Sequence, residues 1–318
     1  MQIRFQLSIV FIFLAGVGVA FEPPGPDLRR KAIGPTEALP EPVKRSLEPQ
    51  GQFELIPVPG PDDWLTDHAE TGQTFEGFLA SRPNTPDKAR NIIYLQPLGD
   101  FLPNKSPALE KLREFAAGYF QMKVKTLSPL AEAELRFTSR MNPRTHNRQV
   151  LTQDILSFLQ HRVPADAFCL LAITMDDLYP DPKWNFVFGQ ASLRERVGVY
   201  SFARYDPVFY GRRRDKGYEQ TLLRRSCKVL VHETGHMFGL AHCIYFSCIM
   251  NGSNHLAESD RRPFHLCPVC LHKLYHSIQF DVLNREEDLL RFYRQNQFND
   301  EARWTSDRLA KVRPGLGK

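Results

Sequence analysis

One segment of the chain, His-Glu-Thr-Gly-His-Met-Phe-Gly-Leu-Ala-His, contains side chains that can bind a metal ion and activate water. His232 and His236 are four residues apart, so a helix places both imidazoles on one face, within reach of a single metal ion. Glu233 lies beside them and can accept a proton from a water on that metal. Gly239 can adopt the left-handed conformation that ends a helix, so that the chain turns back and His242 becomes a third nitrogen ligand. Three protein ligands and an open fourth position are typical of a catalytic zinc site.

The alternative interpretation of this segment is an ordinary amphipathic helix with polar histidines on its solvent-facing side. The short pattern H-E-x-x-H alone is weak, because it arises by chance in many proteins. The added glycine and third histidine make a chance match rarer by a factor of roughly 10³ at average residue usage. A methionine and a set of cysteines follow directly, which favours the zinc-binding interpretation.

The residues after the third histidine extend this pattern. Cys243, Cys248 and Met250 continue it as H-C-x4-C-x-M, and Cys267 and Cys270 add a C-x-x-C pair. With these residues the chain resembles the archaemetzincins, a branch of the metzincin zinc peptidases, over roughly residues 50 to 290. Further stretches that are similar to this family lie at residues 184–191, 201–204, 260–263 and 267–274.

The resemblance implies roles for Met250 and for the four cysteines. In metzincins a methionine in a tight turn lies beneath the zinc ligands as an apolar floor, and Met250 matches this Met-turn; a plain core methionine is the close alternative, since both are packing residues. The resemblance also implies a second zinc site, formed by Cys243, Cys248, Cys267 and Cys270. Thiolates prefer zinc, and a Cys₄ tetrahedron leaves no open position, so such a site is structural.

Two disulfide bonds are the alternative for these four cysteines. A bond between Cys267 and Cys270 would close a very small ring and contribute little stability, so two converging cysteine pairs favour a metal. The remaining cysteines, Cys169 and Cys227, lie in apolar stretches and are expected in the core.

Four further histidines follow the zinc-binding segment and are not expected to be ligands. His255 is expected on a loop surface, and His265, His272 and His276 are expected to cap or pack around the cysteines. The catalytic zinc ligands are therefore predicted to be His232, His236 and His242 alone.

Length and composition indicate an ordinary globular chain. Its 318 residues are 42% hydrophobic, enough for one sizeable core or two small ones. The net charge of +5 is mild and gives no reason to expect a nucleic-acid partner. The run Arg212-Arg213-Arg214 is interpreted as a solvated loop before the zinc-binding helix.

The resemblance implies a zincin-like α/β fold: a mixed five-stranded sheet over an active-site helix, and a small C-terminal subdomain pinned by the Cys₄ zinc site. The strand at the rim of the cleft is expected within residues 186–202, where its exposed edge would pair with an extended substrate. The expected catalytic domain covers residues 51–295, with the active-site helix at about 219–240 and the structural zinc subdomain at 243–278. Sequence patterns predict strands at 53–58, 91–95, 124–127, 167–175, 184–188 and 198–203, and helices at 106–120, 149–162, 267–278 and 286–294.

Both ends of the chain are expected outside the catalytic domain. Residues 1–20 combine Arg4, an apolar run at 7–17 and a small-residue ending, which predicts a secretory signal peptide cleaved near Ala20, and hence export. The alternative is a cytoplasmic protein that retains this segment. The run is too short to span a membrane, so no membrane anchor is expected after cleavage. Residues 21–50 are rich in proline and predict a linker, and residues 296–318 predict a C-terminal tail.

These features together predict a zinc metallopeptidase that hydrolyses peptide bonds with a zinc-activated water. Two zinc ions per chain are expected, one catalytic and one structural, with Glu233 as the general base. The expected partner is a peptide or protein substrate bound in extended form. Two alternatives are a zinc-stabilised binding module without turnover and a hydrolase of a non-peptide amide; Glu233 argues against the former, because binding alone needs no carboxylate beside the metal.

Overall fold

A five-stranded mixed sheet forms the centre of the computed structural model, which describes residues 21–49, 51–131 and 134–313. Its strands are β1 (Ile92–Leu98), β2 (Lys123–Thr126), β5 (Ala167–Thr174), β7 (Gly189–Ser192) and β8 (Val197–Ser201). The strand order is β2-β1-β5-β8-β7; the first four strands are parallel, and β7 is antiparallel to β8 at one edge. The expected mixed α/β architecture is confirmed. The predicted signal peptide, residues 1–20, lies outside the described residues.

Strand β5 is the central strand, and all of its residues are buried. Its side chains alternate between two apolar cores: Cys169 and Leu171 face one, and Leu170 and Ala172 face the other. Alternation of this kind follows from the period of two residues in a strand. The continuous apolar run predicted a strand buried on both faces, and the structure confirms it.

A second sheet of three strands was not predicted. It contains β3 (Ser139–Met141), β4 (Arg148–Leu151) and β6 (Asp177–Tyr179), in the order β3-β4-β6. The sequence pattern placed residues 149–151 at the start of a helix, but the helix starts at Thr152, directly after β4.

Helices surround both sheets. They are α1 (Pro26–Ile33), α2 (Glu41–Leu47), α3 (Trp64–Asp67), α4 (Phe75–Ala80), α5 (Leu109–Phe120), α6 (Thr152–Gln160), α7 (Tyr218–Met237), α8 (Leu256–Arg261), α9 (Pro268–Ile278), α10 (Val282–Gln295) and α11 (Asn299–Val312), with 3-10 helices at Ala203–Tyr205 and Pro207–Tyr210. The predicted active-site helix is α7, which packs against α5, β7 and β8. Within the described ranges, none of the helices is both long and apolar enough to cross a membrane.

The structure of residues 21–49 differs from the expected linker. Helices α1 and α2 lie in this stretch and pack against α9 and α11. Ala32, Ile33, Val43 and Leu47 are buried in the main core. The apolar residues are few, but the short helices direct them to one face, which is enough to dock the segment.

The structure after residue 296 also differs from the expected tail. Helix α11 packs against α10 and α2, and its Leu309 and Val312 are buried. The predicted strand at 53–58 is reduced to a single bridge between Leu55 and Phe246. The predicted strand at 184–188 is likewise reduced to a bridge through Val187, so the edge strand of the main sheet begins at Gly189.

Candidate active site

The end of α7 and the turn after it bring the three predicted histidines together. The Nε2 atoms of His232 and His236, one helical turn apart, are separated by 3.1 Å. Gly239 has a φ of 80°, in the left-handed region expected for a residue that turns the chain back. His242 then returns, and one ring nitrogen of each histidine lies within 4.8 Å of the other two.

The Nδ1 atoms of these histidines all face hydrogen-bond acceptors. The Nδ1 atom of His232 lies 2.9 Å from the carbonyl oxygen of Ile249, and that of His236 lies 2.7 Å from the carbonyl oxygen of Leu240. The Nδ1 atom of His242 lies 2.7 Å from a carboxylate oxygen. When Nδ1 donates to such an acceptor, the lone pair of Nε2 remains for a metal ion.

The chemistry and spacing of these nitrogens fit zinc. Two zinc–nitrogen bonds of about 2.05 Å at a tetrahedral angle place their nitrogens about 3.3 Å apart. The distance of 3.1 Å between the Nε2 atoms of His232 and His236 is close to this value. Three imidazoles leave a fourth tetrahedral position for water or substrate, as in catalytic zinc sites.

Glu233 is buried beside this histidine cluster, with only 8% of its surface exposed. Burial raises the pKa of its carboxyl to about 7, against the opposing effect of His242. Strand β7 passes directly over it: a side-chain carbon built on Gly189 would lie 2.8 Å from the Glu233 carboxyl carbon. The site therefore contains a shielded carboxyl group between α7 and the edge strand β7.

Met250 lies beneath the same helix. It is fully buried in the turn that follows Cys248, and a side-chain carbon built on Gly235 would lie 2.6 Å from its sulfur atom. Its neighbour Ile249 provides the carbonyl group that accepts the Nδ1 proton of His232. The turn therefore both forms an apolar floor and orients the first histidine.

The four cysteines also come together. Their sulfur atoms all lie within 4.8 Å of one another, and all four side chains are buried. The Cys243 and Cys267 sulfurs are 3.5 Å apart, near the roughly 3.8 Å edge of a zinc–thiolate tetrahedron and far from the disulfide bond length of about 2.05 Å. The sulfur of Cys248 accepts the backbone N–H groups of Met250 and Cys267. This donor set fits a closed tetrahedral metal site.

Sequence reasoning missed Glu70, whose Oε1 atom accepts the Nδ1 proton of His242. Burial raises the pKa of the Glu70 carboxyl, but the hydrogen bonds from His242 and Trp64 contribute to a larger combined effect in the opposite direction. The pKa of Glu70 is therefore below its ordinary value. Glu70 lies 172 residues before His242, and nothing in the local sequence marks it.

The other histidines lie outside the cluster, as expected. His255 caps α8 by accepting the N–H of Glu258. His265 stacks on Trp304 at 3.9 Å between ring centroids. His272 and His276 pack against Phe75 near the cysteines.

A third group of potential ligands, Asp63, His255 and Glu258, lies close together but is already neutralised. Arg261 donates to Asp63, and Arg262 donates to Glu258, each at 2.6 Å. Because guanidinium groups occupy both carboxylates, we assign no metal to this group.

The chain is similar to several known proteins. A sequence profile of peptidase family M54 matches residues 138–276. Archaemetzincin-2 of Homo sapiens is 42% identical over 268 residues, covering 76% of this chain and 74% of that protein. Archaemetzincin-1 of Mus musculus is 35% identical over 266 residues, covering 74% and 53%. The crystal structure of archaemetzincin from Methanopyrus kandleri is 29% identical, covers 61% of this chain and 99% of that one, and superimposes with a TM-score of 0.45.

Proposed function

Because this chain belongs to the archaemetzincin family, peptidase family M54, and is a zinc metallopeptidase, we propose that it hydrolyses peptide bonds at the cluster of His232, His236 and His242, with Glu233 as the base. One observation carries this assignment. The three imidazoles converge through one nitrogen each while their other nitrogens are engaged, and a buried carboxyl group lies beside them.

The histidines and Glu233 would have different roles in hydrolysis. His232, His236 and His242 would hold the zinc ion through their Nε2 atoms. When bound, zinc supplies a Lewis acid and lowers the pKa of a coordinated water to about 7. The Glu233 carboxylate accepts a proton from the attacking water and returns it to the departing amine. The water oxygen joins the carbonyl carbon, the C–N bond breaks, and no covalent bond to the chain forms.

The outer edge of strand β7 is the proposed binding position for a substrate in extended form. Within the described part of the chain, β7 pairs with β8 alone, which leaves its outer edge for another strand. Gly189 in this strand lies against the Glu233 carboxyl group. A peptide that pairs along this edge by β-augmentation would therefore cross the site next to the base.

We assign a second, structural zinc ion to the four cysteines. Cys243 directly follows the ligand His242, and Cys248 lies two residues before Met250. A tetrahedral metal held by these residues together with Cys267 and Cys270 would fix the loop that carries both the third ligand and the Met-turn. The sequence 243–278 would then form the zinc-pinned subdomain, at a stoichiometry of two zinc ions per chain.

We also propose that the protein is exported, with cleavage near Ala20. Support comes from the charged start, the apolar run and the small-residue ending of residues 1–20. Amino-terminal sequencing of the protein from its native host tests this proposal. A mature chain that begins near Phe21 supports export, and an intact Met1 in a soluble cytoplasmic fraction refutes it.

A peptide-library cleavage assay with metal analysis tests the catalytic assignment. His242→Ala removes one proposed ligand, and His161→Ala, an exposed histidine after α6, is the matched control. Zinc-loaded wild type and His161→Ala should cleave, whereas apoprotein and His242→Ala should not. If His242→Ala cleaves within about tenfold of wild type, the ligand assignment is wrong.

A further inference from the structure

We propose that Glu70 is a positioning residue for His242, and that residues 64–73, here called the upstream strap, hold the turn that presents this third ligand. The inference rests on the proposed function, in which His242 binds zinc. The strap lies outside the stretch matched by the M54 profile, residues 138–276.

The carboxylate of Glu70 makes the contact that orients the ligand. One oxygen, Oε1, accepts the Nδ1 proton of His242 at 2.7 Å and the indole proton of Trp64 at 2.8 Å. The Glu70 side chain is 12% exposed, so water competes little for this oxygen. A carboxylate at Nδ1 fixes the tautomer and rotation of an imidazole and makes its Nε2 a stronger donor to metal.

Trp64 anchors the strap against the site. Its ring lies edge-on to His242, with centroids 5.1 Å apart, and stacks on His68 at 3.7 Å. Its backbone N–H donates to both carboxylate oxygens of Glu258, which is fully buried and paired with Arg262. The strap is therefore hydrogen-bonded to a buried ion pair in the C-terminal half of the protein.

Gln73 fixes the other end of the strap to the turn itself. Its amide nitrogen donates to the carbonyl of Gly239 at 3.0 Å, and its amide oxygen accepts the N–H of Ala241 at 3.1 Å. Lys273 of α9 donates to both the backbone and side-chain oxygens of Gln73. One glutamine thus ties the turn between the second and third ligands to the helix that carries Cys270.

The third ligand depends on the strap more than the other two ligands depend on their partners. His232 and His236 are on a helix, and their Nδ1 atoms contact the backbone carbonyl groups of Ile249 and Leu240, which follow soon after in the sequence. His242 is on an irregular segment, and its Nδ1 partner comes from a distant part of the sequence. Loss of Glu70 should therefore weaken zinc binding without loss of the fold.

Zinc affinity of the catalytic site provides the test. Glu70→Ala, Glu70→Gln, His242→Ala and the control Glu76→Gln, an exposed glutamate on α4, are compared by chelator competition. Zinc binding should be about 10- to 100-fold weaker in Glu70→Ala and unchanged in Glu76→Gln. Glu70→Gln should be intermediate, because an amide oxygen can still accept both protons but carries no charge.

Nitrogen-15 NMR of His242 in protein without catalytic zinc separates positioning from general destabilisation. Wild type should show the Nδ1–H tautomer, and Glu70→Ala a mixture with the Nε2–H form, at a temperature where both proteins are fully folded. If His242→Ala loses zinc while both Glu70 variants bind it like wild type, the inference is overturned and the proposed function stands. If His242→Ala keeps normal zinc affinity, the proposed ligand set itself fails. Where Glu70→Ala does not fold, wild-type affinity in Glu70→Gln is the overturning result.

Discussion

A side-chain carbon on Gly189 would lie 2.8 Å from both the carboxyl carbon and Oε1 of Glu233. It would also lie 2.9 Å from the backbone oxygen of Val199, which belongs to the neighbouring strand β8. Strand β7 and helix α7 therefore approach so closely that any side chain larger than hydrogen at this position must displace the proposed base or the strand itself.

We predict that Gly189→Ala lowers kcat by about 10²-fold while the protein keeps its zinc, because a shift of about 1 Å in a catalytic group can cost that much. Steady-state peptide cleavage with metal analysis measures both quantities. Gly25→Ala is the control, since a carbon added there meets nothing within 4 Å. Wild-type kcat in Gly189→Ala would mean that Glu233 does not need this position.

We expect two zinc ions per chain, with different lability. The three-histidine site has an open position and should lose its metal first to a chelator, whereas the closed four-cysteine site should retain its metal longer. Loss of the second ion should unfold the segment around Cys267 and Cys270. Zinc release recorded alongside hydrogen exchange tests this, and one zinc per chain in reduced, active protein contradicts it.

The same four cysteines should titrate as free thiols once metal is removed. In denatured, chelator-treated protein without reductant, all six cysteines should react with a thiol reagent, whereas two disulfides would leave only Cys169 and Cys227. Cys270→Ser should also reduce the zinc content from two to one. Cys227→Ala, which alters a buried cysteine outside the cluster, should retain both zinc ions.

The C-terminal helix should contribute strongly to stability. Arg308 on α11 is buried, donates to the backbone oxygen of Ser46 and to the side chain of Gln52, and lies over the ring of Phe53. Arg308→Ala leaves these acceptors unpaired, and we expect it to lower the free energy of unfolding by about 2–4 kcal/mol. Chemical denaturation measures the change, and the exposed Arg303→Ala should alter it by less than about 0.5 kcal/mol.

The cluster of His232, His236 and His242 was predictable from the sequence because its geometry is local. The spacing of His232 and His236 on a helix, and the turn at Gly239, need no information from the rest of the fold. The central strand was predictable for a similar reason, since a continuous apolar run from Ala167 onward fits a strand buried on both faces.

Features that depend on distant contacts were missed. Glu70 has no spacing relation to His242, because the chain folds back over 172 residues to form their hydrogen bond. A strand was predicted at residues 184–188, but only Val187 forms a bridge there, and the ring of Phe186 instead packs on the guanidinium of Arg204 at 3.5 Å. Helices α2 and α11 bury each other's few apolar residues, and a sequence pattern taken segment by segment assigns neither to the core.

The turnover of zinc-loaded Glu233→Gln tests the central claim most directly. The amide keeps the size of the side chain but cannot accept a proton from water, so zinc should remain bound and peptide hydrolysis should fall by about 10⁴-fold, the upper end of general acid–base contributions. Activity within about tenfold of wild type, in protein with its full zinc content, would contradict the assignment of Glu233 as the general base.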